Sequence, residues 1–284
     1  MTQIWDDLGA VDPKVLGGAR LQTHHAVQWV ARVARANLAP MPDDSQINMG
    51  WDGDQAALVS HPLQTKLGVA LCFGLRIDTM TLIALRDQTV ADQFALDGQT
   101  HAAAGAWLDR LAAGAGLALP SGETLPYAIP AHPVGDGVAY SCSLHRREFA
   151  ALARWFAAGA DLIGEIHTGL PPGAASPLRC WPHHFDIATL WTLGEGDPES
   201  APSIGIGLSP GDRYYPQPYF YVSPWPYPSP DRLVPLPTGD WHISDLVAAI
   251  LTGERIARMH DRRGETRQFL DAAISVARRL LAVP

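Results

Sequence analysis

The sequence predicts an α+β fold made of two similar units, each a helix, an antiparallel sheet and a closing helix, with a helix pair at the C-terminus. Three observations carry this. Strand-like segments cluster between helical ones without strict β-α alternation, which favours α+β over a doubly wound sheet. The order helix, three or more strands, helix occurs twice along the 284 residues, the pattern an internal duplication would leave. Glycine (26) and proline (24) are both frequent, which favours many turns over a long helical bundle.

An N-terminal extension over 1–19 precedes the first unit, 20–118. There "THHAVQWVARVARANLAP" sets Val27, Val30, Ala34 and Leu38 at helical spacing, and Pro40 stops the run. "SQINMGW", "AALVSHPL" and "LGVALCFGLRI" read as strands. In the last, Val69, Leu71, Phe73, Leu75 and Ile77 alternate with small or polar residues, as in a half-buried strand. "TMTLIAL" and, more weakly, "DQFAL" continue the sheet, and "QTHAAAGAWLDRLAAGAGL" reads as a helix that Gly116 can end. The stretch 119–144 is rich in proline and glycine and reads as a linker.

The second unit, 145–284, repeats the order. "HRREFAALARWFAAGADLIGEI" is a helix, and "FDIATLWTL", "SIGIGLS" and "PYFYVSPW" are strands. "WHISDLVAAILTGERIARM" and "TRQFLDAAISVARRLL" are read as closing helices, with the charges of "ERIARMHDRRGETR" on a solvated helix hairpin.

Composition narrows the function. A net charge of −8 argues against nucleic acid, whose phosphates need a concentrated basic surface. Only Lys14 and Lys66 are lysines, which disfavours Schiff-base chemistry. Cys72, Cys142 and Cys180 are too far apart for a zinc knuckle, and their odd number suits a reducing compartment. No basic-then-apolar leader and no spanning apolar run of ~20 residues is visible. A soluble cytoplasmic protein without membrane partners is expected; oligomeric state stays open.

Two stretches could carry chemistry. In "RCWPHHFDIATLW", a strand over 183–193 would place His183 with Phe185 on one face and His184 with Asp186 on the other. His184 and Asp186 are then the catalytic candidates: a carboxylate beside an imidazole fixes its tautomer and raises its basicity. They are also the metal ligands, if any, although no cofactor follows from the sequence. The plainer alternative has Asp186 capping a turn and His184 stacking on an aromatic ring. In "IGIGLSPGDRYYPQPYFYVSPWPYP" five of the seven tyrosines gather, and Tyr219 and Tyr221 share a strand face. Gly205 and Gly207 leave one face of their strand bare, so a ring or a ligand can approach the backbone. Trp181, His183, Trp191, Tyr215, Tyr219, Tyr221 and Trp225 are the candidate ligand-binding residues. His24 and His25 are read as exposed at a helix start.

Taken in order, these motifs resemble an uncharacterised bacterial family, domain-of-unknown-function family 5996. The resemblance runs over residues 20–228, from "THHAVQWVARVARANLAP" through "SPLRCWPHHFDIATLWTLG" to "GLSPGDRYYPQPYFYVSPWPYP". It implies a fold unit and a site at Phe185-Asp186, Pro210-Gly211 and Tyr219 to Tyr221, and it implies no activity. The expectation is a small-molecule enzyme or ligand-binding protein with an aromatic pocket near Asp186 and the 214–221 strand. The alternative is a protein-interaction module using the Pro/Tyr-rich edge.

Overall fold

The structure, a computed structural model, describes residues 2–119, 125–194 and 201–281. In chain order the elements are α1 (Thr2–Asp6), α2 (Gly17–Asn37), β1 (Gly50–Asp52), β2 (Ala57–Val59), β3 (Leu63–Gln64), β4 (Ala70–Arg76), β5 (Thr81–Arg86) and β6 (Thr89–Ala95). There follow α3 (His101–Ala115), α4 (Arg146–Thr168), β7 (Arg179–Trp181), β8 (Asp186–Thr192), β9 (Ser203–Ser209) and β10 (Tyr219–Trp225). The last are β11 (Asp240–His242), β12 (Ala248–Thr252), α5 (Gly253–Ala257) and α6 (Arg262–Leu281). The class is α+β with two antiparallel sheets, as the clustered strands predict.

Two compact units result. One takes Leu16–Ala153 and Arg179–Phe185; the other takes Met1–Val15, Arg154–Leu178 and Asp186–Pro284. The chain thus changes unit four times, after Val15, inside α4 after Ala153, after Leu178 and after Phe185. Of the expected linker over 119–144, residues 125–144 belong wholly to the first of these units.

In the 16–153 unit the sheet runs β1-β2-β4-β5-β6, with β3 also on β4. Helix α2 packs on β4 and on α3, and it is buried over much of its circumference, from Ala19 to Ala34. Thr100 caps α3 by accepting from the Ala103 amide, and Gly116 ends it at φ +70°. The expected strand at "SQINMGW" is instead a 3-10 turn over Ser45–Ile47 leading into β1.

In the other unit the strand order is β11-β12-β10-β9-β8. Phe220, Leu208 and Ile187 are paired across β10, β9 and β8, so their side chains share one face. That face is the core side. Trp5 of α1 stacks on Phe220 at 6.1 Å, and Gly159 lets α4 close on Ile187 and Leu208. The N-terminal residues are therefore part of this core rather than a loose extension.

The helix expected over "WHISDLVAAILTGERIARM" is absent. The segment forms β11, β12 and the short α5. The reason is position: β12 lies between β10 and β11, and Ala248 to Leu251 are all buried. A central strand buried on both faces loses its alternation and reads like a buried helix.

The opposite face carries the glycines. Tyr221 pairs with Gly207, and Gly207 with Ala188. A Cβ on Gly207 would come within 2.5 Å of the Tyr221 ring and hydroxyl, whereas one on Gly205 would meet nothing nearer than 3.8 Å. The bare strand face is filled by the protein's own tyrosine. Gly207→Ala is therefore expected to cost about 1–3 kcal/mol through overpacking. Gly205→Ala is expected to cost far less, and urea midpoints at unchanged slope compare the two.

Candidate functional site

Asp186 opens β8, and Tyr221 lies two strands away on the same face. The Tyr221 hydroxyl donates to Asp186 Oδ2 at 2.5 Å. Beside it, Tyr219 donates to Asp212 Oδ2 at 2.7 Å. Asp212 Oδ1 accepts the amides of Tyr214 and Tyr215 at 2.8 and 2.9 Å. That Asx-turn, foreshadowed by the Pro-Gly-Asp sequence, fixes the loop and aims the carboxylate at Tyr219.

The row continues to Tyr215, whose ring lies 5.1 Å from that of Tyr219, while Tyr219 and Tyr221 are 6.2 Å apart. The Tyr215 hydroxyl meets His242 Nδ1 at 3.2 Å. His242 Nε2 donates to the Ser244 carbonyl at 2.6 Å, so in the neutral ring Nδ1 is the acceptor. Three rings thus stand in line with each hydroxyl held by an acid or an imidazole. Burial, followed by the nearby Asp212 or Asp186 carboxylate, pushes the Tyr219 and Tyr221 hydroxyls above the ordinary phenol range. They stay protonated, as donors.

The remaining sequence candidates lie elsewhere. Trp191 points to the core face of β8, under Arg278 at 5.2 Å. Trp225 is 46% exposed at the far end of β10 and packs edge-on against Tyr227. Trp181, His183 and His184 belong to the 16–153 unit. The expected strand begins at 186, because Pro182–Phe185 form a turn in which Phe185 adopts φ +57° and its amide bonds Trp181 O. His184 is therefore not a same-face strand neighbour of Asp186. The two histidine rings, expected on opposite faces, stand 4.2 Å apart. Among the described residues no group of three or more His, Cys, Asp or Glu could hold a metal.

His24 and His25 are buried, not exposed as their place near a helix start implied. His24 donates through Nε2 to the Pro182 carbonyl at 2.9 Å and stacks on Phe185 at 4.9 Å. Gln28 reaches the same carbonyl at 2.8 Å and accepts from Tyr127 at 2.8 Å. His25 donates to Pro130 O at 2.9 Å. His101 Nδ1 accepts from Trp29 Nε1 at 3.2 Å, and Tyr140 Oη lies 3.0 Å away. Burial lowers His24, His101 and His183 each to about 4.

Sequence reasoning missed Asp212, His242, Gln28 and Tyr127. Only Asp212 had a local signal, its turn motif; the others meet their partners through long-range packing. No family model, curated protein or solved structure matches the chain.

Two outcomes follow. The folded protein keeps His24, His101 and His183 neutral down to about pH 4, while their unfolded counterparts protonate near ~6.5. The unfolded chain then binds more protons across that window, so stability falls as pH drops from about 6.5 towards 4. His24 alone should account for roughly 2 kcal/mol between pH 7 and 5. Urea unfolding at both pH values, with His24→Gln flattening part of the slope, checks this. Separately, Tyr221→Phe removes a donor to a carboxylate and should cost about 1.5–3 kcal/mol, whereas Trp225→Phe should change the urea midpoint little.

Proposed function

We propose that the Tyr215–Tyr219–Tyr221 face binds a small molecule with an aromatic or apolar body and a polar group, without transforming it. The observation that carries this is the row of three rings whose hydroxyls are each anchored, at Tyr215–His242, Tyr219–Asp212 and Tyr221–Asp186. Anchored rings form a pre-organised surface that loses little entropy when a ligand settles on it. Tyr215 and Tyr221 keep part of their surface open to solvent. A catalytic reading would need a nucleophile or an imidazole base against Asp186. The phenols are held as neutral donors, and the His184 ring contact is with His183, so binding is favoured over catalysis by Asp186 and His184.

One observation favours a second reading. Trp225 and Tyr227 are 46% and 45% exposed, with rings 5.0 Å apart beside Pro224, Pro226 and Pro228. This edge suits docking to another protein. No helix among the described residues is long and apolar enough to cross a membrane. The three free cysteines fit the reducing bacterial cytoplasm, which we propose as its location. The fold unit of family 5996 is proposed on the same footing, from the ordered motifs.

Fluorescence titration against a panel of aromatic acids, amines and neutral aromatics tests the binding reading. At least one class should saturate with a Kd below about 1 mM, and Tyr219→Leu should weaken it at least about tenfold. Trp225→Ala should leave it unchanged. A flat response across the panel, or a loss only with Trp225→Ala, would overturn the assignment.

A further inference from the structure

The Tyr215 end of the phenol row is a corner of aromatic rings. The His242 ring stands edge-on to Tyr214 at 4.9 Å and to Tyr215 at 5.7 Å. Tyr215 in turn lies 5.1 Å from Tyr219. The Asx-turn of Asp212 sets Tyr214 and Tyr215 in place, and the edge strand β11 delivers His242. Tyr214, Tyr215 and His242 each keep part of their surface open to solvent, whereas Tyr219 is buried.

The polar atoms of this corner mostly accept. Tyr215 gives its hydroxyl proton to His242 Nδ1, which carries none of its own because Nε2 donates to the Ser244 carbonyl. Asp245 Oδ2 accepts from the Tyr214 hydroxyl at 3.3 Å. Burial first, then the charges of Asp240 and Asp212, hold the Tyr215 hydroxyl above the ordinary phenol range. Against these three carboxylates stand two guanidiniums: Arg255 pairs with Asp240 at 2.6 Å, and Arg213 lies 3.8 Å from Asp245. Arg213 also bonds the Tyr214 hydroxyl and sets its guanidinium over the Tyr214 ring, 4.6 Å from the centre. The chain thus already rests one cation on a ring of this corner, and the balance of charge stays negative.

We propose that the Tyr214–Tyr215–His242 corner takes the ammonium group of an organic cation whose apolar body lies along the phenol row. This rests on the binding reading above and names its ligand class. Ring faces attract a cation through their quadrupole, and clustered aromatic side chains are a recurring way to hold an ammonium group. An ammonium N–H finds acceptors here in Tyr215 Oη and His242 Nδ1, while Asp212 and Asp240 supply the opposite charge close by. An anion would find only Arg213 and Arg255, each already facing a carboxylate.

The experiment is calorimetric titration of the full chain at pH 7 and low salt with three probes of similar shape. Phenethylamine is charged as its ammonium, phenethyl alcohol is neutral and hydrocinnamate is a carboxylate. Phenethylamine should bind at least about tenfold more tightly than the alcohol, and hydrocinnamate more weakly than either. Added sodium chloride should narrow the gap between amine and alcohol, since salt screens exposed charges. The Arg213 side chain is 75% exposed, so Arg213→Gln leaves the fold intact. It should tighten phenethylamine at least about threefold, by removing a like charge and releasing Asp245. Asp212→Asn keeps an acceptor for the Asx-turn and should shrink the preference for amine over alcohol at least about threefold. Should that variant not fold, the salt dependence and Arg213→Gln carry the test. Equal binding of the three probes, or a preference for hydrocinnamate, overturns the cation assignment and leaves the binding reading standing. A preference for the amine that Arg213→Gln does not strengthen places the ammonium elsewhere and overturns the corner. No binding by any probe overturns both.

Discussion

In the unit that contains β8 to β12, the core and the phenol row both depend on the alternation of Tyr219, Phe220, Tyr221 and Val222 along one strand. Phe220 and Val222 face the core that Trp5, Leu208 and Ile187 complete, while Tyr219 and Tyr221 face the other way. Burying each apolar side chain contributes about 1.5–3 kcal/mol. A slip of one residue would put two phenols into that core and two apolar side chains opposite Asp186 and Asp212. Gly207 reinforces the register, because only a residue without Cβ leaves room for the Tyr221 ring at that position. Core packing and the phenol row are two readings of the same strand.

A comparable constraint organises the 16–153 unit, but through polar groups. Helix α2 is buried along several faces, so Gln22, Thr23, His24, His25 and Gln28 all lie out of solvent. Each is compensated by a bond to irregular chain or to the helix itself. Gln22 takes the Ser141 amide at 2.9 Å, His25 the Pro130 carbonyl and Gln28 the Tyr127 hydroxyl. The segment from Tyr127 to Ser141 has little ladder of its own, an isolated bridge between Asp97 and Tyr140 apart. It is held to the helix by side chains instead, which is why a buried polar stripe persists. In that stripe burial keeps His24 a neutral hydrogen-bonding group, and on α3 protonation of His101 would remove the acceptor that Trp29 uses.

Much of the fold was legible because period and punctuation agreed. "LGVALCFGLRI" and "SIGIGLS" alternate as strands should, and Gly116 ends α3 as a helix stop should. The failures have physical causes. "LVAAILT" lacks period because β12 is covered on both sides. The 182–185 turn is invisible because Phe185 holds a left-handed conformation that its residue type does not advertise. That turn delays the strand to Asp186, so the spacing that joined His184 to Asp186 lost its meaning. Asp186 instead meets Tyr221, a partner 35 positions away that no local pattern can supply.

The chemistry of the tyrosine row follows from where its protons sit. A carboxylate offers about four acceptor positions and no donor. Asp212 spends its two oxygens on two backbone amides and one phenol, so it orients Tyr219. Tyr221 donates to Asp186 in the same sense. With each of these phenols committed as a donor, a ligand on the proposed face would meet ring surface rather than free hydroxyls, chiefly at Tyr215 and Tyr221, since Tyr219 is buried against Ala248 and Ile250. On the proposed binding reading, specificity for a polar group would come from the edge of the row, where His242 and Tyr215 share a longer bond of 3.2 Å. That pair can exchange its mutual bond for one to a ligand at little net cost, because the lost hydrogen bond is replaced in kind.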